Sequence, residues 1–135
     1  MKKQFCILFT CLVILFSCNT EKKIPDTDIG VATEFINDIH KGDFKTANQL
    51  LLNEDANKQY LDRYQDYFKG WPKERLEYFK NSDILIINEV TPVTDSVTIV
   101  NYSTNYKKEE KNKVKVVRVN GQWLVDFKYT FSGNL

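Results

Sequence analysis

The chain has few of the internal fasteners that small exported or metal-binding domains use. Its 3 cysteines, Cys6, Cys11 and Cys18, all fall in the first eighteen residues, so nothing after Cys18 can build a disulfide framework. The single histidine, His40, has no cysteine in that later region to complete a transition-metal ligand set. Excess charge of one sign is also missing. With 19 Lys+Arg against 18 Asp+Glu the net charge is +1, which leaves no electrostatic footprint for nucleic acid. Only 5 glycines are present, and no glycine-rich phosphate loop, nucleophile elbow or zinc-protease pattern occurs. The longest apolar run, Phe5 to Phe16, would span roughly 18 Å as a helix against a hydrocarbon core of about 30 Å, too short for a stable transmembrane span.

What that run does have is the layout of an export signal: Lys2 and Lys3 in front, then the apolar stretch, then Leu15-Phe16-Ser17-Cys18. The last four residues resemble the bacterial lipobox, with an aliphatic residue three before the cysteine and a small one directly before it. Phe16 is bulkier than usual at its position. The resemblance implies that Cys18 is the lipidation site, carrying a diacylglyceryl group and a further acyl chain such as palmitate on the new amino terminus. Two or three such chains hold a protein on a bilayer almost irreversibly, at about 0.8 kcal/mol per buried methylene. An ordinary cleaved signal with Cys18 left as a thiol is the alternative. The expected organisation is therefore residues 1–17 as signal peptide, 18–28 as lipidated cysteine and flexible tether, and 29–135 as one α+β domain. Removing residues 1–17 with Lys2 and Lys3 from 135 residues leaves 118, and turns 19 basic against 18 acidic side chains into 17 against 18. That length suits a single core.

After the polar stretch Asn19 to Asp28, helical spacing begins at Ala32, Phe35, Ile36 and Ile39. Gly42 reads as a helix stop and Asp43 as the N-cap of a short second helix carrying Phe44, Ala47, Leu50 and Leu51. A third helix carries Tyr60, Leu61, Tyr64, Tyr67 and Phe68, and Gly70-Trp71-Pro72 breaks it before a last short helix through Leu76, Tyr78 and Phe79. The period then changes from 3.6 to 2. Strands are expected over Ile84 to Val90 and Val97 to Tyr106, with a turn at Thr94-Asp95, and Lys107 to Lys111 reads as a charged hairpin loop. Asn120-Gly121 is the strongest hairpin signal, joining Val114–Val119 to a strand from Gln122 to Phe131. A two-residue turn there pairs Arg118 with Trp123, Val116 with Val125, Lys115 with Asp126 and Val114 with Phe127. One face of the last strand is then Trp123, Val125, Phe127, Tyr129 and Phe131, and Asp126 points to solvent. Val117, Val119 and Leu124 fall on the opposite face, where they would suit a homodimer contact or simply an ordinary outer surface.

Phe35 through Gly42-Asp43-Phe44 and Ala47 to Leu51, the strand Val97 to Tyr102, and the stretch from Val116 through Asn120-Gly121-Gln122-Trp123 to Phe127 together carry a family resemblance. Over roughly residues 29–131 the chain resembles small bacterial lipoproteins of unknown function in the nuclear transport factor 2-like superfamily. The resemblance implies a cystatin-like cone, with N-terminal helices packed in the concave face of a curved four-stranded antiparallel sheet. It implies a cavity at the open end of that cone, which in the superfamily serves enzymes, ligand binding or plain core.

Acid-base candidates are few. His40 stands at the end of the first helix, where a charged imidazole would favour the helix C-terminus. Asp62 and Asp66 read as a solvated helix face beside Arg63 and Lys69. No catalytic residue, metal ligand or cofactor is assigned. The aromatics, 13% of the chain, are the functional lead. Tyr60, Tyr64, Tyr67 and Trp71 on the helices, with Tyr102, Tyr106, Trp123 and Tyr129 on the strands, combine ring faces with polar tips and would line a site for a small apolar or sugar-like ligand. The same rings would equally serve as large core residues. The expected function is a lipid-anchored, non-enzymatic ligand-binding or protein-interaction domain of the bacterial cell envelope, on the outer membrane or the outer face of the cell membrane. Its partners would be the membrane through Cys18 and a small ligand or an envelope protein. The alternative is a small isomerase, dehydratase or hydrolase whose Asp62, Asp66, Glu74 or Glu77 reaches the cavity beside Tyr64 or Tyr102.

Overall fold

Thr27 opens the first helix, its hydroxyl oxygen accepting the Gly30 N–H at 3.1 Å. In the computed structural model, which describes residues 23–81, 85–105 and 107–132, α1 (Asp28–Lys41) buries the expected Ala32, Phe35, Ile36 and Ile39 together with Val31. Cys18, the signal segment and Tyr106 lie outside the described residues. Asp28 already belongs to the fold, because its carboxylate accepts a 2.6 Å hydrogen bond from the Thr98 hydroxyl. Ile24 packs against the core as well, so the folded part reaches back into the stretch read as tether.

Gly42 ends α1 at φ 77°, the left-handed conformation that glycine adopts without steric cost, and the Asp43 N–H reaches back to the Asp38 carbonyl at 2.8 Å. Asp43 then caps α2 (Phe44–Gln49) by accepting the Thr46 N–H at 3.0 Å. Leu50 and Leu51, expected on that helix face, lie past its end. Their segment pairs with the sheet instead, as Val125 N–H donates to Leu50 C=O at 2.8 Å and Leu52 N–H donates to Val125 C=O at 2.9 Å. α3 (Asp55–Lys69) and α4 (Lys73–Lys80) are separated at Gly70-Trp71-Pro72 as the sequence indicates.

Four strands follow, β1 (Leu85–Thr94), β2 (Val97–Thr104), β3 (Lys107–Val119) and β4 (Gln122–Asp126), in one antiparallel sheet of order β1-β2-β3-β4. The described residues thus form an α+β domain with helices first and a meander second. α1 lies across all four strands, and Phe35 and Ile36 meet Val100, Val114, Val116 and Val125 in the core. Asn120 at φ 51° and Gly121 at φ 81° make the tight turn between β3 and β4. The register around it is as expected, with Arg118 opposite Trp123, Val116 opposite Val125 and Lys115 opposite Asp126.

Two strand expectations fail. Lys107 to Lys111 is the start of β3 and not a loop, since β2 ends early at Thr104 after a bulge beyond Tyr102. The last strand stops at Asp126, and Phe127–Phe131 coils into a 3-10 turn, η1, so Val114 and Phe127 are not partners. The cause is side-chain capture of the backbone. The buried Asn57 carboxamide on α3 accepts the Lys128 N–H at 2.8 Å, and the Thr130 hydroxyl donates to the Lys113 carbonyl at 2.7 Å. Phe127 still enters the core, edge-on to Phe35 at 5.0 Å, whereas Phe131 is 43% exposed.

Candidate functional site

The steps Tyr64, Tyr67 and Trp71 carry aromatic rings along α3 into the helix break, and Arg75 and Phe79 continue the same side one turn at a time on α4. Together with His40 at the end of α1 they form one wall of a cavity of about 330 Å³. The opposite wall comes from the sheet: Tyr102 and Thr104 on β2, then Lys107, Glu110 and Asn112 on β3. Thr130 and Phe131 from η1 close one side.

The helical wall is a chain of ring contacts. Trp71 stands edge-on to Phe79 at 5.1 Å and to Tyr67 at 5.5 Å, and His40 lies on Phe79 at 4.1 Å. The Arg75 guanidinium sits over the Trp71 ring at 3.8 Å. Two donors in this wall, Trp71 Nε1–H and Arg75 Nε–H, are buried and have no hydrogen-bond acceptor among the described residues. On the sheet side Lys107 Nζ pairs with Glu110 at 2.7 Å, both side chains half-exposed.

Burial sets the protonation states. It pushes His40 down from 6.5 to about 4, so the imidazole is neutral at neutral pH and gives no charge to the end of α1. The expected role at the helix C-terminus is therefore replaced by a neutral ring in the cavity wall. Burial pushes the Tyr64 phenol up to about 12, with Tyr67 and Glu110 adding to the rise and Arg75 opposing it. Tyr102 is raised further, by burial first and then by Tyr64 and Glu110. Both phenols keep their protons and present O–H groups.

Of the eight aromatics expected to line a site, the structure brings Tyr64, Tyr67, Trp71 and Tyr102 together. Tyr60 stacks flat on Phe131 at 5.2 Å beside a separate groove, which it shares with Tyr129, and Tyr129 lies under Lys115 at 5.3 Å. Trp123 packs beneath Arg118 at the hairpin end, away from the cavity. Tyr106 lies outside the described residues. Asp62, Asp66, Glu74 and Glu77 are all exposed and none lines the cavity; Asp66 and Glu77 pair with Lys69 and Lys73, each at 3.7 Å. The carboxylate that does reach the cavity is Glu110, hidden in the sequence because its segment read as a loop.

Asp126 was expected in solvent and is instead 4% exposed, held between Lys115 at 2.9 Å and Lys128 at 3.1 Å. The strand parity is right, but η1 folds Lys128 back over the carboxylate, where it also pairs with Glu54. Burial alone would raise this carboxyl; hydrogen bonds from both lysines outweigh it and hold it below the usual range. Among the described residues no cluster of three or more His, Cys, Asp or Glu could hold a metal, and no helix is long and apolar enough to cross a membrane. No family model, curated protein or solved structure matches the chain.

Proposed function

We propose that this chain is a lipid-anchored domain of the bacterial cell envelope that binds a small molecule in the aromatic cavity and performs no chemistry on it. The cavity carries the reading: about 330 Å³ falls within the usual range for ligand sites, and its lining combines a wall of rings with polar and charged side chains from the sheet. The anchor rests on the resemblance of Leu15-Phe16-Ser17-Cys18 to a lipobox. The order of helices followed by a four-stranded meander supports assignment to the nuclear transport factor 2-like cones, with the cavity at the open end.

Binding is favoured over catalysis by the state of the polar groups. A general base works best when poised near neutral pH, whereas His40 accepts a proton only near pH 4 and the Glu110 carboxylate is occupied by Lys107. The phenols of Tyr64 and Tyr102 are raised away from acid duty. One observation favours the isomerase or dehydratase alternative, namely that Glu110 lies near enough to both phenols to shift them.

The test uses the protein expressed and processed in bacterial cells. Intact mass should show Cys18 diacylglycerylated and acylated, and a Cys18→Ser form should leave the membrane fraction. Native mass spectrometry of the gently extracted protein should show a retained small molecule, or a fractionated envelope extract should raise the melting temperature. At a ligand concentration one hundred times Kd the stabilisation is about 2.7 kcal/mol. An unmodified thiol at Cys18 sinks the anchor; the absence of both a retained molecule and a thermal shift sinks the ligand.

A further inference from the structure

The aromatic cavity is one of three adjoining hollows along α3. The second, of about 240 Å³, shares Tyr64, Tyr67 and Phe131 with the cavity and adds Tyr60 and Arg63. The third is the groove of about 390 Å³ beside Tyr60 and Tyr129, so Tyr60 joins it to the second. A single run of sequence lays out their common wall. Tyr60, Tyr64 and Tyr67 step by four and three along α3 and Trp71 follows four residues later, which puts the rings in one line over roughly 16 Å at about 1.5 Å per residue. Such a line suits a chain better than a single compact molecule. Part of it is open to water: Tyr67 is 60% and Phe131 43% exposed, so a ligand lying there keeps one side wet.

Charge along the line is mostly answered in place. Lys107 pairs with Glu110 at 2.7 Å, Asp126 pairs with Lys115 at 2.9 Å and Lys128 at 3.1 Å, and Arg63 and Arg75 lie over the Tyr60 and Trp71 rings. Groups that both donate and accept stand beside the rings, Thr104 and Asn112 in the cavity and Ser132 in the far groove. We propose that the line is a track for an uncharged glycan, an extended chain of about three or four sugar rings with one end in the aromatic cavity and the other beside Tyr60 and Tyr129. This rests on the small-molecule reading above and extends it, because the cavity then holds the terminal sugar of the chain. Each helical turn advances about 5.4 Å, close to the length of one sugar unit in an extended chain, so successive aromatic steps meet successive rings. A sugar ring sets its C–H face against an aromatic ring and keeps its hydroxyls in water or on polar neighbours, whereas a wholly apolar chain would leave its outer side unburied. Phe131 borders both the cavity and the middle hollow, and its flat stack on Tyr60 at 5.2 Å holds it in place before a ligand arrives.

Calorimetry on the processed chain, in a detergent without a sugar headgroup, reads the binding. The probes are β-1,4-linked chains of glucose and of N-acetylglucosamine, each as dimer and tetramer, with the glucuronate tetramer as the charged match. In at least one neutral series the tetramer should bind at least about tenfold more tightly than the dimer, the worth of one or two ring contacts. The glucuronate tetramer should bind more weakly than the better neutral one. Tyr60→Leu keeps apolar packing on Phe131 but removes the outer ring, so it should erase the tetramer's advantage and leave the dimer unchanged. Tyr67→Ala, at an exposed position of the shared wall, should weaken both. Equal binding of dimer and tetramer in the natural protein overturns the track, and so does a Tyr60→Leu variant that keeps the full advantage; either leaves the small-molecule reading intact. Tighter binding of the glucuronate tetramer overturns the uncharged ligand. If no sugar binds while the protein retains another molecule from cells, the glycan is overturned and the small-molecule reading stands; if it retains none, that reading falls too.

Discussion

Two regions of this domain bury polar groups, and they satisfy them to different degrees. Around β4 and η1 most of the named polar groups are met: Asn57 donates to the Leu52 carbonyl at 3.3 Å and accepts from Lys128, Thr130 donates to Lys113, and Asp126 is ion-paired with two lysines although its Oδ1 has no hydrogen bond of good geometry. In the wall formed by α3 and α4, Trp71 Nε1 and Arg75 Nε have no acceptor among the described residues. Buried donors without partners are expensive, so these two make the cavity wall costlier to fold than a fully satisfied one. The difference separates polar groups that are tied by the fold from polar groups that the fold leaves unmet. The apolar composition changes in step. Val100, Val114, Val116 and Val125 fill the packed side, while the cavity side is built from rings with polar tips.

The comparison predicts an ordering of stability effects. The largest belongs to the packed side, where Phe35 is fully buried and meets Phe127 edge-on. Phe35→Ala should cost about 3–5 kcal/mol in urea unfolding, the range for truncating a buried aromatic. A cost under about 1 kcal/mol would mean that this side is as loosely filled as the cavity.

His40 is the one cavity group expected to carry a large effect, and it acts only through pH. Its folded value of about 4 lies below the 6.5 of an unhindered imidazole, so the unfolded chain takes up a proton first as pH falls. The neutral ring's contribution is fully present above pH 6.5 and is lost progressively down to about pH 4, by at most about 3.5 kcal/mol at roughly 1.4 kcal/mol per unit. His40→Gln should flatten the stability profile across that window, and because the chain has 1 histidine no other imidazole can mask the result. Asp126, held low by its lysines, loses its own contribution only below about pH 3.8, outside the window. An unchanged profile in the variant refutes the buried neutral ring. Below this in size comes Asn57→Ala on the packed side, which removes two hydrogen bonds from a fully buried carboxamide and should cost about 2 kcal/mol. It should also release η1, seen as faster exchange of the Lys128 amide.

The two regions were not equally legible in the sequence. The packed side follows local rules: the step of three and four through Phe35 and Ile39, the Gly42-Asp43 stop and cap, and the Asn120-Gly121 turn that pinned Arg118 to Trp123 and Lys115 to Asp126. It failed at Phe127, where alternation continued on paper but Asn57, seventy-one residues earlier, captures the Lys128 N–H and coils the chain. No period of two reveals a bond of that span. The cavity was half visible. Tyr64, Tyr67 and Trp71 share a helix face and Tyr102 follows strand parity, so their convergence could be anticipated. Glu110 was missed because five charged residues in a row look like a loop. Arg75 is marked in the sequence only by its place four residues after Trp71. His40 was read as a terminal charge, since burial of an imidazole is set by Phe79, which comes from another helix.

The smallest expected effect tests the contrast most sharply, because it asks whether an arginine on the cavity wall can be removed at almost no cost. Arg75→Met keeps the unbranched shape and the packing on Trp71 while deleting the charge and the unmet Nε–H. Loss of the guanidinium–indole attraction costs about 1–2 kcal/mol for a pair this buried, and relief of a buried donor without an acceptor returns about 1–3 kcal/mol. The two nearly cancel, so unfolding free energy should stay within about 0.5 kcal/mol of the natural chain. Asn57→Ala, by contrast, removes a group whose bonds are made and gets no such return. A loss above about 2 kcal/mol in Arg75→Met would show that the guanidinium is already held by the fold, and the two regions would then differ in composition alone.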